Sequence, residues 1–188
     1  MTLLKKGLKN KADFKDLKNF QEASSIPLLI AMDAEWGVAM RLDSVNPFPW
    51  PMTLGAIKDT TLIRKIGNRM GRQEKRLGIH YSFSPVLDIN TNSKNPIIGN
   101  RSYGSSPDRV IRQALAIMKG HQEAGILTSG KHFPGHGSST TDTHKEFTDV
   151  SSSWIVEELF PYHKMMIEDN EDAIMTSHVV NSNIDDRM

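Results

Sequence analysis

The sequence contains no cysteine, so it has no disulfide framework, no thiolate nucleophile and no Cys-type zinc site, although that absence alone names no redox compartment. It also lacks a long hydrophobic run. The most apolar stretch, Ile26 to Met32, includes Pro27 and falls far short of the ~20 residues that a membrane-spanning helix needs. The opening residues MTLLKKGLKNKADF are charged without an apolar centre, so no signal peptide is expected in them. Charge of one sign is missing as well: 23 Lys and Arg stand against 22 Asp and Glu, a formal net charge of +1. A chain with no basic surplus matches a phosphate backbone poorly, so nucleic acid is not expected as the partner. What is present is 188 residues, 38% hydrophobic and 24% charged, the composition of one soluble globular domain.

Strand-like and helix-like stretches alternate four times. Leu3, Leu4, Leu8, Phe14, Leu17 and Phe20 lie among lysines, which predicts an amphipathic N-terminal helix over residues 1–22. Ile26 to Met32 is a continuous apolar run ending at Asp33, the pattern of a strand buried on both faces. After a loop with Pro47, Pro49 and Pro51, helical spacing runs from Asp59 to Leu77 (Leu62, Ile63, Ile66, Met70), with Gly78 as its stop. A strand over Tyr81 to Ile89 follows. Ser106 and Pro107 then open a helix, with Asp108 in its first turn, that Gly125 closes before the strand Ile126 to Ser129. A last helix begins at Ser152 or Ser153, is expected to bend or break at Pro161, and leads to a strand at Ala173 to His178.

Such alternation predicts βαβ crossovers and a parallel sheet, hence the α/β class. Asp33, Asp88, His132 and His178 each sit at or just after the carboxyl end of a strand. In parallel α/β folds the ligand lies beyond those ends, and in a (β/α)8 barrel they converge on one mouth. A complete barrel takes about 250 residues and eight strands. With four strands, the sequence reads either as a smaller doubly wound sheet or as part of a longer barrel, and open sheet edges predict poor stability for it in isolation.

The densest chemistry lies in Lys131-His132-Phe133-Pro134-Gly135-His136-Gly137 and the following Asp142-Thr143-His144. If residues 142–144 run extended, Asp142 and His144 point the same way, and the carboxylate can hold the imidazole in one tautomer for proton transfer. A solvated loop whose histidines merely cap backbone groups is the plainer alternative. Asp33, Glu35 and Arg41 in DAEWGVAMR suit recognition of a polar ligand, with Trp36 as an apolar platform; the alternative is a local salt bridge beside a buried tryptophan. Arg101 stands in the loop after the second strand. Two other patterns fail on inspection. Gly125 to Lys131 has phosphate-loop spacing, but His132 stands where Ser or Thr is needed, and the first Gly precedes a strand instead of following one. A metal centre from His132, His136, His144 and His178 with Asp142 or Asp33 has no HExxH-type spacing behind it, so neither a metal nor another cofactor is expected.

KHFPGHG followed by DTH, together with DAEWGVAMR, FSPVLDI, NPIIGNRSY and MTSHVV in this order, resembles the N-terminal domain of glycoside hydrolase family 3, in its β-N-acetylhexosaminidase branch. The matching units cover roughly residues 26–180, and the whole chain 1–188 is expected to form a single, incomplete domain: a partial (β/α)8 TIM barrel with about four parallel strands and their helices. The resemblance implies a retaining enzyme that releases terminal β-linked N-acetylglucosamine from muropeptides, chitin fragments or related glycans, with a small carbohydrate as its partner. It implies His144 as general acid/base, assisted by Asp142, in place of the carboxylate pair usual in glycosidases. It places Asp33, Arg41, Arg101, Lys131 and His132 on the sugar hydroxyls.

The family's nucleophile, an Asp in a short Ser-Asp motif, is expected one βα unit beyond the last strand, and Asp185 and Asp186 do not match that position. The family's first barrel strands are expected before residue 1. Trp36-Gly37 stands where the family has a double Gly. Relatives act in the cytoplasm and in the bacterial envelope, so the resemblance leaves the compartment open, as it does the oligomeric state. A non-catalytic sugar-binding or scaffold remnant of the same barrel is the alternative function.

Overall fold

The computed structural model describes residues 13–143, 145, 147–168 and 172–185. It consists of helices interspersed with short parallel strands. The element order is α1 (Asp13–Ala23), β1 (Ala31–Met32), α2 (Pro51–Gly55), α3 (Thr60–Arg76), β2 (Tyr81–Ser82), α4 (Pro107–Glu123), β3 (Leu127–Thr128), β4 (Gly130–Phe133), β5 (Thr148–Asp149), α5 (Phe160–Glu168), β6 (Ile174–Thr176) and β7 (Val179–Val180), with short 3-10 turns between some of them. The described strand pairs are all parallel. β1, β2 and β3 pair in that order, aligning Ala31 with Tyr81 and Tyr81 with Leu127; β4 pairs β6, and β5 pairs β7.

Local chemistry sets the two long helices. The Asp59 carboxylate caps α3 by accepting from the Thr61 and Leu62 amides at 2.8 and 3.3 Å. Ser106 holds the N-cap position of α4 without a capping bond from its hydroxyl, and the preset φ of Pro107 favours that start. Both helices end in the same motif. Gly78 and Gly125 take φ of 78° and 77°, a region that side chains disfavour. The amides of Gly78 and Ile79 return to Lys75 and Glu74, and those of Gly125 and Ile126 to Gln122 and His121. In each case the motif turns a fully buried isoleucine, Ile79 or Ile126, into the core just ahead of the next strand.

The core lies between sheet and helices. Ile63, Met70, Val110, Ala114, Ile117 and Met118 from α3 and α4 pack with Leu54, Leu87, Ile89, Tyr103, Tyr162 and Met165. A second cluster joins Leu17 of α1 to Ile30, Met32, Val38, Leu42 and Ile79.

Several expected elements differ. Ile26 to Met32 is not a strand along its length: only Ala31 and Met32 pair, and Ile26 and Leu29 are 75% and 60% exposed. Upstream of β1 the backbone is held by side chains: the Leu28 amide donates to Gln21 Oε1 and the Ile30 amide to His80 Nδ1, both at 3.2 Å. One side of the run meets α1 while the other meets water. The second expected strand forms a ladder only at Tyr81 and Ser82. Beyond that its chain runs beside β4 through single bonds, among them Leu87 N to the Lys131 carbonyl at 2.6 Å. Pro161 does not break its helix. It stands in the first turn of α5, where a missing N–H costs nothing. Of the expected N-terminal helix, residues 1–12 lie outside the described residues, and Phe20 on α1 is half-exposed while Leu17 is buried.

Candidate active site

The carboxyl ends of the strands meet around a cavity of about 670 Å3, within the range of small-molecule sites. Asp33 and Glu35 enter it from the turn after β1, Arg41 from the 3-10 turn that follows, Arg101 from the loop after β2, Lys131 and His132 from β4, and Ser177 and His178 from the end of β6. Met40, Phe83, Ile97 and Met175 give it apolar walls. All five residues that the resemblance placed on the sugar (Asp33, Arg41, Arg101, Lys131, His132) therefore line one cavity, although they are as far as 99 positions apart in the chain.

Alternating charges hold the floor together. The Lys131 ammonium, 2% exposed, lies 3.0 Å from Asp33 Oδ1 and 2.7 Å from Glu35 Oε1. Arg101 grips the same Glu35 with two donors, Nε to Oε2 at 2.9 Å and Nη2 to Oε1 at 2.8 Å. Arg41 Nη2 reaches Asp33 Oδ2 at 2.8 Å. Burial alone would push the Glu35 carboxyl up, but the Lys131 and Arg101 charges hold it down at about 2. Burial likewise opposes charge on Asp33, and Lys131 and Arg41 outweigh it, keeping that carboxyl below its ordinary value. Burial would also depress Arg101, yet Glu35 raises it.

His132 is oriented from behind. Asp88, fully buried, takes its Nδ1 at 2.6 Å, and a second Asp88 oxygen accepts from the backbone amides of His132 and His136 at 3.3 and 2.8 Å. Arg101 Nη2 lies 3.3 Å from His132 Nε2 and has only hydrogens to offer. Nε2 therefore accepts, and the proton sits on Nδ1 facing Asp88. Asp88 was legible in the sequence as a strand-end residue but not as the group that orients two histidines.

The donors left over face the cavity. Lys131 uses two of its three N–H groups on carboxylates, and Arg41 and Arg101 keep N–H groups beyond those bonded to Asp33, Glu35, His132 and the Ile97 carbonyl. Asp33, with a side chain 25% exposed, retains acceptor capacity. This arrangement is a rigid set of donors and acceptors with paired charge, suited to a neutral polyhydroxylated ligand.

The Pro134 to Thr143 loop forms one rim. Gly137 lies so close to the neighbouring backbone that a Cβ there would fall 1.6 Å from the Ile89 carbonyl oxygen, so no side chain fits. Asn95 Nδ2 donates to the carbonyls of His136 and Gly137 at 2.8 and 3.0 Å, and Trp154 Nε1 to that of Pro134 at 3.0 Å. His144 lies outside the described residues. Asp142 is described and is not among the residues lining the cavity; its carbonyl accepts from the Lys145 amide at 2.8 Å. That bond closes a turn that starts at Asp142. Trp36 does not line the cavity either: it stacks on Trp50 with ring centroids 4.0 Å apart.

Sequence reasoning missed Glu158, which sits in the 3-10 turn before α5 and accepts from the Gly137 amide at 3.1 Å while 1% exposed. No periodic signal distinguishes Glu158 from its neighbour Glu157 in the stretch Ile155 to Leu159. Burial pushes its carboxyl up to about 7 and the Asp88 charge adds to this, against the Ser138 hydroxyl and the Gly137 amide. The folded chain thus keeps a proton that the unfolded chain, at an ordinary 4.5, gives up. The resulting stability is fully present below pH 4.5 and is lost as pH rises to about 7. Glu158→Gln removes that dependence. Urea titrations at pH 5 and pH 8 are expected to show the variant gaining on the parent by about 3 kcal/mol across the interval, and parallel pH curves for the two would refute it.

Comparison with known proteins gives the constellation its context. Residues 3–188 match the model for the glycosyl hydrolase family 3 N-terminal domain. The chain belongs to this family. A beta-hexosaminidase of Tolumonas auensis is 35% identical over 179 residues, covering 91% of this chain and 52% of its own length. Among solved structures, a glycoside hydrolase family 3 beta-N-acetylglucosaminidase from Paenibacillus sp. is 34% identical with a TM-score of 0.89, covering 99% of this chain and 37% of that one. A beta-glucoside phosphorylase, BglX, is 30% identical with a TM-score of 0.85, covering 94% of this chain and 33% of that one. The chain spans about half the length of curated relatives such as the Tolumonas protein.

Proposed function

We propose that these 188 residues are one domain, a segment of a family 3 (β/α)8 barrel, and that the barrel hydrolyses terminal non-reducing β-linked N-acetylglucosamine with retention. Asp33, Arg41, Arg101, Lys131 and His132 hold the sugar. His144, assisted by Asp142, protonates the departing oxygen and then activates water, and the nucleophilic carboxylate comes from outside residues 1–188. The observation that carries this reading is the convergence of those five sugar ligands from successive strand ends on one cavity.

Retaining hydrolysis needs a carboxylate about 5 Å from the proton donor and free to attack the anomeric carbon. Among the described residues of the cavity, Asp33 is engaged by Lys131 and Arg41, and Glu35 by Lys131 and Arg101. These are binding carboxylates. The same fact favours the second reading, a sugar-binding protein without the chemistry, for the chain taken alone.

The test compares the 188-residue chain with a product extended to the length of its relatives, both given 4-nitrophenyl N-acetyl-β-glucosaminide. The expected result is hydrolysis by the longer protein only, with N-acetylglucosamine bound by both. Release of nitrophenol by the 188 residues alone would overturn the placement of the nucleophile. Faster cleavage of the corresponding glucoside would overturn the sugar assignment. A sugar 1-phosphate formed when inorganic phosphate is added would make the reaction phosphorolysis.

A further inference from the structure

His136 is the one histidine of the His-Phe-Pro-Gly-His loop that the proposed chemistry leaves idle, and its surroundings define its protonation. Its ring lines the cavity although the residue is only 2% exposed. Nδ1 lies 2.7 Å from Ser139 Oγ, and Nε2 lies 3.2 Å from Thr143 Oγ1. The Ser139 hydroxyl is placed to donate its single hydrogen to the His136 carbonyl at 3.0 Å, and Asn95 Nδ2 donates to Ser139 Oγ at 3.1 Å. With the Ser139 hydrogen assigned to that carbonyl, Oγ offers lone pairs to the imidazole, and the His136 proton is assigned to Nδ1. Burial keeps the ring neutral by lowering its proton affinity. Neutral and protonated at Nδ1, it offers a lone pair at Nε2, and the Thr143 hydroxyl donates to it.

That bond reaches across the loop to the middle residue of the Asp142-Thr143-His144 triplet. The rest of the ring's hold is equally fixed. The His136 amide is bonded to buried Asp88, its carbonyl to buried Asn95, and the Ser139 carbonyl to Asn92 at 2.9 Å. Thr141 meets Thr148 of β5 at 2.7 Å. On the cavity rim Thr143 thus hangs from a side chain that is itself pinned at every polar atom.

We infer that His136 is a positioning residue, one whose Nε2 lone pair holds the Thr143 hydroxyl and so sets where the triplet that supplies the proton donor stands relative to the bound sugar. The inference rests on the function proposed above. It assigns no proton transfer to His136, because its ring is committed at both nitrogens.

A misplaced proton donor slows departure of a leaving group that needs protonation and spares one that does not. The experiment uses the active enzyme containing this chain, with phenyl and 2,4-dinitrophenyl N-acetyl-β-glucosaminides. Thr143→Val keeps the shape and deletes the hydroxyl. It is expected to lower kcat/KM, which reports formation of the glycosyl-enzyme, by about tenfold or more on the phenyl substrate while changing it less than about twofold on the dinitrophenyl substrate. Thr143→Ser returns the hydroxyl and should restore the phenyl rate. His136→Asn keeps a donor at the Nδ1 position and removes the acceptor at Nε2, so it should behave like Thr143→Val. His136→Gln, with an amide oxygen near the Nε2 position, should recover part of the loss. Equal slowing of both substrates, or no slowing of either, by Thr143→Val would overturn the inference. His144→Ala separates the two levels. If it shifts the phenyl-to-dinitrophenyl ratio and Thr143→Val does not, the positioning role fails alone; if it leaves that ratio unchanged, the proton-donor assignment fails and the inference falls with it.

Discussion

Replacing Lys131 by Met is expected to destabilise the fold by about 3–5 kcal/mol, the range for removing one partner from a buried charge pair, and to abolish measurable binding of N-acetylglucosamine. The ammonium is the only described cation that touches both Asp33 and Glu35. Without it Glu35, whose side chain is 1% exposed, keeps Arg101 but faces the like charge of Asp33 across the gap the ammonium occupied. Its carboxyl then rises from about 2 toward the ordinary range, because burial is the largest influence on it and one of the two opposing charges is gone. Asp33 is less affected. Arg41 still holds its other oxygen, and it is one-quarter exposed. Denaturant titration reads the stability, and calorimetry with N-acetylglucosamine reads the binding. A variant within 1 kcal/mol of the parent would mean that water replaces the ammonium at no cost and that the charge network does not organise the site. Glu35→Gln is the informative companion: it leaves Lys131 with Asp33 and Arg101 with a neutral acceptor, so binding should suffer more than folding.

The contrast between what was legible and what was not follows sequence distance. The ends of α3 and α4 were readable because Asp59, Gly78, Pro107 and Gly125 act on backbone groups only a few residues away. The strand-end regularity was readable too, since a polar residue that closes an apolar stretch needs no partner to be noticed. Asp33, His132 and His178 do reach the cavity, while Asp88 stops one layer beneath it. The pairing of Glu35 with Arg101, 66 positions away, was not readable, and as a lone arginine in a loop Arg101 gave a weak signal. For the same reason Ile26 to Met32 passed as a strand: composition records apolarity, whereas ladder pairing depends on the register with β2, which begins only at Ala31. The sequence likewise offered no hint that Asp142 begins a turn, because the deciding bond to the Lys145 amide is a backbone property.

His144→Ala is expected to reduce kcat on substrates with a sugar alkoxide leaving group by about 10^2 to 10^4-fold, the usual contribution of a positioned acid/base, while KM changes little. The reasoning starts from what the cavity already has. Its cations are committed: Lys131 to two carboxylates, Arg101 to Glu35 and His132, Arg41 to Asp33. His132 carries its proton on Nδ1, turned toward Asp88 and away from the cavity, and His136 directs its own toward Ser139. Lys131, Arg41 and Arg101 keep N–H groups toward the cavity, but giving up a proton would strip the charge that holds Asp33 and Glu35, and neither histidine aims a proton at a glycosidic oxygen. The proposed mechanism gives that task to the imidazole of His144, because histidine as a residue type can give a proton in one step and take one in the next near neutral pH. Two consequences separate this from a general loss of fit. The kcat/KM of His144→Ala on a dinitrophenyl glycoside, whose leaving group departs unprotonated, should fall far less than that on a disaccharide. The alkaline limb of the pH profile for the disaccharide should also disappear, because the group whose deprotonation ends catalysis is gone. A variant that retains the parent's disaccharide turnover and the same alkaline limb would take the proton donor out of this loop and return His178, an exposed residue of the cavity lining, to consideration.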